Sequence, residues 1–194
     1  MRAMFKDKTS HLISRRGFIG AAGAATTLAA CGNGVGSSGA SELDARVDST
    51  RNYLFAHYPA TRELSQKAQG ILWMPLITKA GLWVGGAYGR GALRINDVTV
   101  DYYSATQASF GLQIGAQQYA HALFFMTPEA LRQFRSGSGW SAGADLEYAV
   151  TNDGGMVSAD TITALDPIIA IVFGQAGLIF GATLEGTKYT RIIP

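Results

Sequence analysis

Several stretches carry residue types and spacings that suggest chemistry. Ser141 lies in Gly139-Trp-Ser-Ala-Gly143, the G-x-S-x-G pattern of a nucleophile elbow. That motif needs a strand, a sharp turn, a helix and a histidine base. Here a Gly/Ser loop precedes it, and no histidine follows; His11, His57 and His121 are all upstream. Gly181-Ala-Thr-Leu-Glu-Gly186-Thr-Lys188 approaches a phosphate loop, but Thr187 separates the second glycine from the lysine. The lysine of a phosphate loop follows that glycine directly. Gly86-Ala-Tyr-Gly89-Arg-Gly91 has the wrong glycine spacing for a dinucleotide fingerprint. Neither His57 nor His121 has a helical H-x-x-x-H partner, so no zinc pair is indicated. Asp97 and Asp101 are expected in one hairpin, which alone does not make an acid/base pair. The chain is read as non-enzymatic, with no catalytic residue, metal or cofactor.

Cys31 is the single cysteine, so it has no intramolecular disulfide partner. It follows Gly17–Ala30, an uncharged Ala/Gly/Thr-rich run. That run is too short to span a membrane as a helix. Ahead of it stand Arg2, Lys6, Lys8, Arg15 and Arg16 against one acid, Asp7. A basic segment, a short apolar segment and small residues before a cut form a secretory signal. Ser14-Arg15-Arg16-Gly17-Phe18-Ile19 resembles the twin-arginine export signal. Leu28-Ala29-Ala30-Cys31 resembles the lipobox of bacterial lipoproteins. Cys31 is therefore expected to carry acyl chains (palmitate among them), and more than one chain makes anchoring stable. Gly32, rather than Asp, follows the cysteine. By resemblance to sorted lipoproteins, this favours the outer membrane, facing the periplasm.

The expected organisation is a signal over 1–30, a lipidated Cys with a Gly/Ser tether over 31–40, and one folded domain over 41–194. The whole chain has 16 basic and 14 acidic residues; the signal takes five and one, leaving 11 and 13, a net charge of −2. The basic balance of the full chain thus resides in the signal and gives no support for nucleic-acid binding. What remains after the signal is long enough for one domain with a core of ordinary size.

Positioning any site requires elements, and these fall into two kinds. Ser41-Glu-Leu-Asp reads as a helix start, with Leu43, Val47 and Leu54 on one face and Asp44, Arg46, Asp48 and Arg51 turned away. Pro59 ends this helix, and a second covers Thr61–Ala68. The first helix is expected to pack on a sheet; its mixed charge argues against a lipid-seeking face. From Gly70 the pattern is strand-like: Ile71–Met74 ended by Pro75, alternating Val98–Tyr103, then strand parity in Ser109–Gln117 and Gly177–Leu184. Gly81, Gly85, Gly89 and Gly91 share strand parity, and glycines in strands mark bends or close backbone approach. Thr127–Phe134 reads as a short helix with proline at its first position. The fold class is α+β: N-terminal helices packed on a strongly curved, glycine-rich antiparallel β-sheet or small barrel.

Ala68-Gln-Gly-Ile-Leu-Trp-Met-Pro75, Lys79-Ala-Gly-Leu-Trp-Val-Gly-Gly-Ala-Tyr-Gly-Arg-Gly91, Ser109-Phe-Gly-Leu-Gln-Ile-Gly-Ala-Gln117 and Gly177–Lys188 together resemble the SYLF domain family, over Ser41–Arg191. The resemblance implies lipid binding. Eukaryotic members bind phosphoinositide membranes and some bundle actin; bacterial members are often lipoproteins. Actin is not expected as a partner in a periplasm, and the 41–57 segment is less basic than the eukaryotic membrane helix. The implied partner is a bacterial phospholipid membrane, through headgroups or acyl chains. Lys79 and Lys188 lie in family motifs, Arg90 and Arg94 flank the glycine-rich hairpin, and Arg191 follows the last motif. These five either form a phosphate-binding edge or are ordinary surface charge. Trp73, Trp83 and Tyr88 are either an interfacial aromatic set or core. The alternative function is a non-catalytic module that docks an envelope protein and is held at the membrane by its acyl anchor alone.

Overall fold

The structure, a computed structural model, describes residues 37–137, 139–143, 147–148, 166–174, 177–178 and 184–194. Cys31, Arg15 and Arg16 lie outside these residues, as do the Gly/Ser tether up to residue 36 and the strand parity expected over 179–183. Helix α1 spans Gly39–His57 and buries Leu43, Val47 and Leu54, the face expected from their spacing. It starts two residues before Ser41, within the expected tether. Ser38 serves as its cap residue and donates its Oγ to Glu42 Oε1 at 2.8 Å. Pro59 separates α1 from α2 (Ala60–Lys67), whose Leu64 and Thr61 are buried. No described helix is long and apolar enough to cross a membrane.

The centre of the fold is a two-stranded ribbon. Strands β1 (Gly70–Ile95) and β2 (Val98–Phe125) pair antiparallel from end to end. Asn96 and Asp97 join them with φ of 52° and 62°. These paired left-handed conformations are those of a tight two-residue hairpin. Pro75 does not end β1 as its position suggested. The ladder slips between Met74 and Ile77, and a proline without an N–H is tolerated at such a bulge.

The ribbon folds back on itself. A Cβ at Gly91 would overlap the carbonyl oxygen of Trp73, and one at Gly89 would overlap that of Leu76. A Cβ at Gly70 would approach the Arg94 carbonyl at 3.3 Å. These three approaches are centred where the ladder slips a second time, between Gly81 and Trp83. Glycines 89 and 91 therefore let the two arms of β1 touch backbone to backbone, which sets the curvature.

Strand β2 then carries different neighbours on its two arms. Residues 120–125 pair with β5 (Ile168–Gly174), and residues 102–106 pair with β7 (Lys188–Ile192). Strand β3 (Gly139–Ser141) extends the sheet beyond β7. The short strands β4 (Glu147–Tyr148) and β6 (Gly177–Leu178) add to β5; β4 is the one parallel partner among the described strands. The result is a seven-stranded curled half-barrel with three described helices, the expected α+β class.

Both faces of this sheet are buried. The concave side encloses Leu72, Met74, Leu93, Tyr103, Leu123, Phe125 and Tyr189. Helix α3 (Pro128–Ser136) inserts Phe134 among them, with its ring 4.7 Å from that of Tyr103 and 4.8 Å from that of Phe125. The convex side holds Trp73, Phe124, Ile169, Ile171 and Phe173 beneath Val47, Leu54 and Leu64 of α1 and α2. Trp73 is thus core, whereas Tyr88 is 54% exposed. The Trp83 side chain lies outside what the structure describes. Residues 34–194 form one compact unit.

Candidate functional site

The five expected basic residues do not share one edge. The register sets Tyr88, Thr106 and Lys188 in one row across three strands, and Arg90, Ser104 and Thr190 in the next row on the same face. Arg90 and Lys188 therefore share a face, but β2 lies between them and they stand one row apart. Lys79 lies on the other arm of β1, opposite Gln117. Arg94 and Arg191 belong to two further sites.

Arg94 is a structural cation. Its side chain is 8% exposed, and Nη1 donates to Asp48 Oδ1 at 2.6 Å while Nη2 donates to the Asp44 carbonyl at 3.4 Å. Asp44 also accepts from Thr99 Oγ1 and Tyr102 Oη, each at 2.9 Å. Arg51 reaches Asp97 at 2.8 Å. The polar side of α1 thus clamps the hairpin tip while its apolar side covers the sheet. The hydrogen bond from Arg94 holds the Asp48 carboxyl below its ordinary range. Burial, then the Asp44 carboxylate, pushes the Tyr102 hydroxyl up to about 12.

Arg191 stands in a different setting. It lines an open groove of about 540 Å³ with Arg132, Arg135, Ser136, Gln69, Ile95, Pro128 and Leu131. The groove runs along α3, where the two ends of β1 meet. Thr127 starts the helix, its Oγ1 accepting from the Ala130 N–H at 3.2 Å. Pro128 follows in the first turn, where its missing N–H costs nothing. Phe134 faces the interior, so Arg132 and Arg135 face outward. Asp101 accepts from Arg135 Nε at 3.1 Å through one oxygen and lies 3.3 Å from Arg191 Nε through the other. Arg191 Nη2 also donates to the Arg135 carbonyl at 3.2 Å. The Arg191 guanidinium lies 5.9 Å from the Tyr103 ring centroid, within cation–π range. Arg132 pairs with Glu129 on the same helix. Three guanidiniums around an apolar floor of Ile95, Pro128 and Leu131 can take an amphipathic anion. Of this group only Arg191 was marked by its position in the sequence. Arg132 and Arg135 sit far from it along the chain, and nothing in their local spacing announces the meeting.

The segment around Ser141 forms β3, an edge strand on β7, rather than a turn between strand and helix. His121 is fully buried on the concave side. Its Nε2 lies 2.8 Å from Tyr189 Oη, and its Nδ1 has no partner among the described residues. Burial pushes its pKa down to about 3. Among the described residues no three His, Cys, Asp or Glu side chains gather to hold a metal.

Comparison with curated proteins finds no match. Residues 106–191 match the family described as Ysc84, Las17-binding protein actin regulator. The match spans the distal arm of the ribbon, α3 with its two arginines, and β7 up to Arg191. Over these residues the chain matches the SYLF (Ysc84) family model, in line with the resemblance carried by the Ser109–Gln117 and Gly177–Lys188 motifs.

Proposed function

We propose that the chain is a lipid-anchored bacterial envelope protein, attached through Cys31 to the periplasmic face of the outer membrane, whose SYLF domain binds phospholipid without catalysis. One observation carries the lipid reading: Arg132, Arg135 and Arg191 ring an apolar floor in one open groove. A phospholipid offers the complementary chemistry, an anionic phosphate joined to an apolar tail. The lipobox-like LAAC and the basic leader support the anchor and the export route. Twin-arginine export is the route favoured by Arg15 and Arg16.

The test is vesicle flotation of residues 34–194, which lack signal and anchor, on phosphatidylglycerol and on phosphatidylcholine. Flotation with the anionic lipid that weakens from about 50 to about 300 mM salt supports headgroup recognition by the fold. Absence of flotation on both lipids rejects it. The matched family is described by its binding to a protein, which favours protein docking as the second reading. That reading predicts no flotation, with capture of an envelope protein by cross-linking of the anchored chain.

A further inference from the structure

We infer that the groove is a site for a phosphate monoester, bound by the Nη edge of Arg135 and Nη1 of Arg191 and completed by Arg132. The inference rests on the lipid-binding reading and names the headgroup class. Its first support is where Asp101 sits. The carboxylate side chain is 14% exposed, whereas Arg135 and Arg191 are 39% and 46% exposed. Asp101 therefore lies beneath the two guanidiniums and engages each through Nε. Among the described residues, neither Nη group of Arg135 nor Nη1 of Arg191 has a partner. Both guanidiniums are held from below, with the Nη fork of Arg135 and the Nη1 of Arg191 left for a ligand above, while Arg191 Nη2 is held by the Arg135 carbonyl and Tyr103 Oη. That is the arrangement in which arginine binds phosphate most strongly, because orientation has been fixed in advance.

The second support is charge. Asp101 neutralises one of the three guanidiniums permanently. The side chains of Arg132 and Glu129 are 66% and 75% exposed. A pair so open to water separates at little cost. With Arg132 turned inward, two positive charges remain unbalanced. A phosphodiester headgroup brings one negative charge and two free oxygens. A phosphomonoester brings about −1.5 to −2 near neutral pH and three strong acceptor oxygens. The monoester matches both the residual charge and the number of donor groups. The floor of Ile95, Pro128 and Leu131 then receives the glycerol and the first acyl carbons.

The experiment compares flotation of residues 34–194, which contain both cores, on neutral vesicles doped with phosphatidic acid or with phosphatidylglycerol at equal surface charge. The same protein is titrated in solution with glycerol 3-phosphate. The expected result is a preference of about tenfold for phosphatidic acid. The double variant Arg135→Lys, Arg191→Lys keeps the charge and removes the forks, and is expected to lose that preference while still folding by circular dichroism. Arg46→Gln, an exposed change on α1, is expected to keep it. Equal flotation on both lipids, unaffected by the double Lys variant, overturns the monoester site while leaving general lipid binding intact. Tight binding of glycerol 3-phosphate with no flotation supports the monoester site and rejects the membrane reading instead.

Discussion

Acidification from pH 8 to pH 5 should destabilise the domain through His121 in particular. Its imidazole is fully buried, and burial lowers its pKa from 6.5 to about 3. Unfolded chains therefore bind a proton at this residue that folded ones refuse. The stabilisation from keeping His121 neutral is complete above pH 6.5 and is lost as pH falls from 6.5 towards 3. At pH 5 the unfolded histidine is almost fully protonated and the folded one almost fully neutral, so the cost is about 2 kcal/mol. At pH 4 it rises to about 3 kcal/mol. Carboxylates such as Asp48, whose pKa is held low, add their own loss below about pH 4. The clean measurement is thus a difference. Urea unfolding of wild type and His121→Gln would be followed from pH 8 to pH 5. Gln retains a hydrogen-bonding group for Tyr189 and does not titrate. The stability gap between the two proteins should shift by about 2 kcal/mol in favour of the variant over that range. A gap that stays constant with pH would refute the argument, since His121 would then be equally protonated in both states or reached by water.

Replacing Arg94 with Ala should lower stability by about 2–3 kcal/mol. That is just below the roughly 3–5 kcal/mol for breaking a fully buried pair, because Asp44 and Asp48 still reach water; the midpoint of urea unfolding, read with its slope, checks this. Gly91→Ala should fail to give a cooperative thermal melt, because its methyl would overlap the Trp73 carbonyl, a backbone atom that no rotamer change can move aside. Gly186 has a φ of 76° and nothing within 4 Å of an added Cβ. Gly186→Ala should therefore cost only about 1 kcal/mol and melt normally.

Much of the architecture was legible because short-range rules governed it. Leu43, Val47 and Leu54 meet every requirement of one buried helical stripe, and Pro128 behaves as a first-turn proline should. The parity of Gly89 and Gly91 announced a close backbone approach, though which segment would approach was not written locally. Pro75 misled because a proline in an apolar run usually closes a strand, whereas the slip from Met74 to Ile77 absorbs its missing donor. The site was less visible than the fold. Arg94 has the same local look as any surface cation, and only the arrival of Asp44 and Asp48 from α1 makes it interior. Arg135, Asp101 and Arg191 lie on a helix and two strands that meet only after the sheet has curled. Their partnership is a product of topology, which spacing along the chain does not encode.

The turn at Asn96–Asp97 has a consequence for how the chain assembles. All rungs between β1 and β2 are nested around it, from Ile95 with Val98 out to Gly70 with Phe125. Once the turn has formed, each added rung closes only a small loop, so pairings distant in sequence are reached by local steps. The fold-back must come later, because Gly91 cannot meet Trp73 until both arms exist. Strands β5 and β7 dock on β2 and inherit the same delay. Pulse-labelled hydrogen exchange should therefore protect amides of residues 92–102 before those of 70–77, making the hairpin tip the nucleus and the bend the closing event of folding.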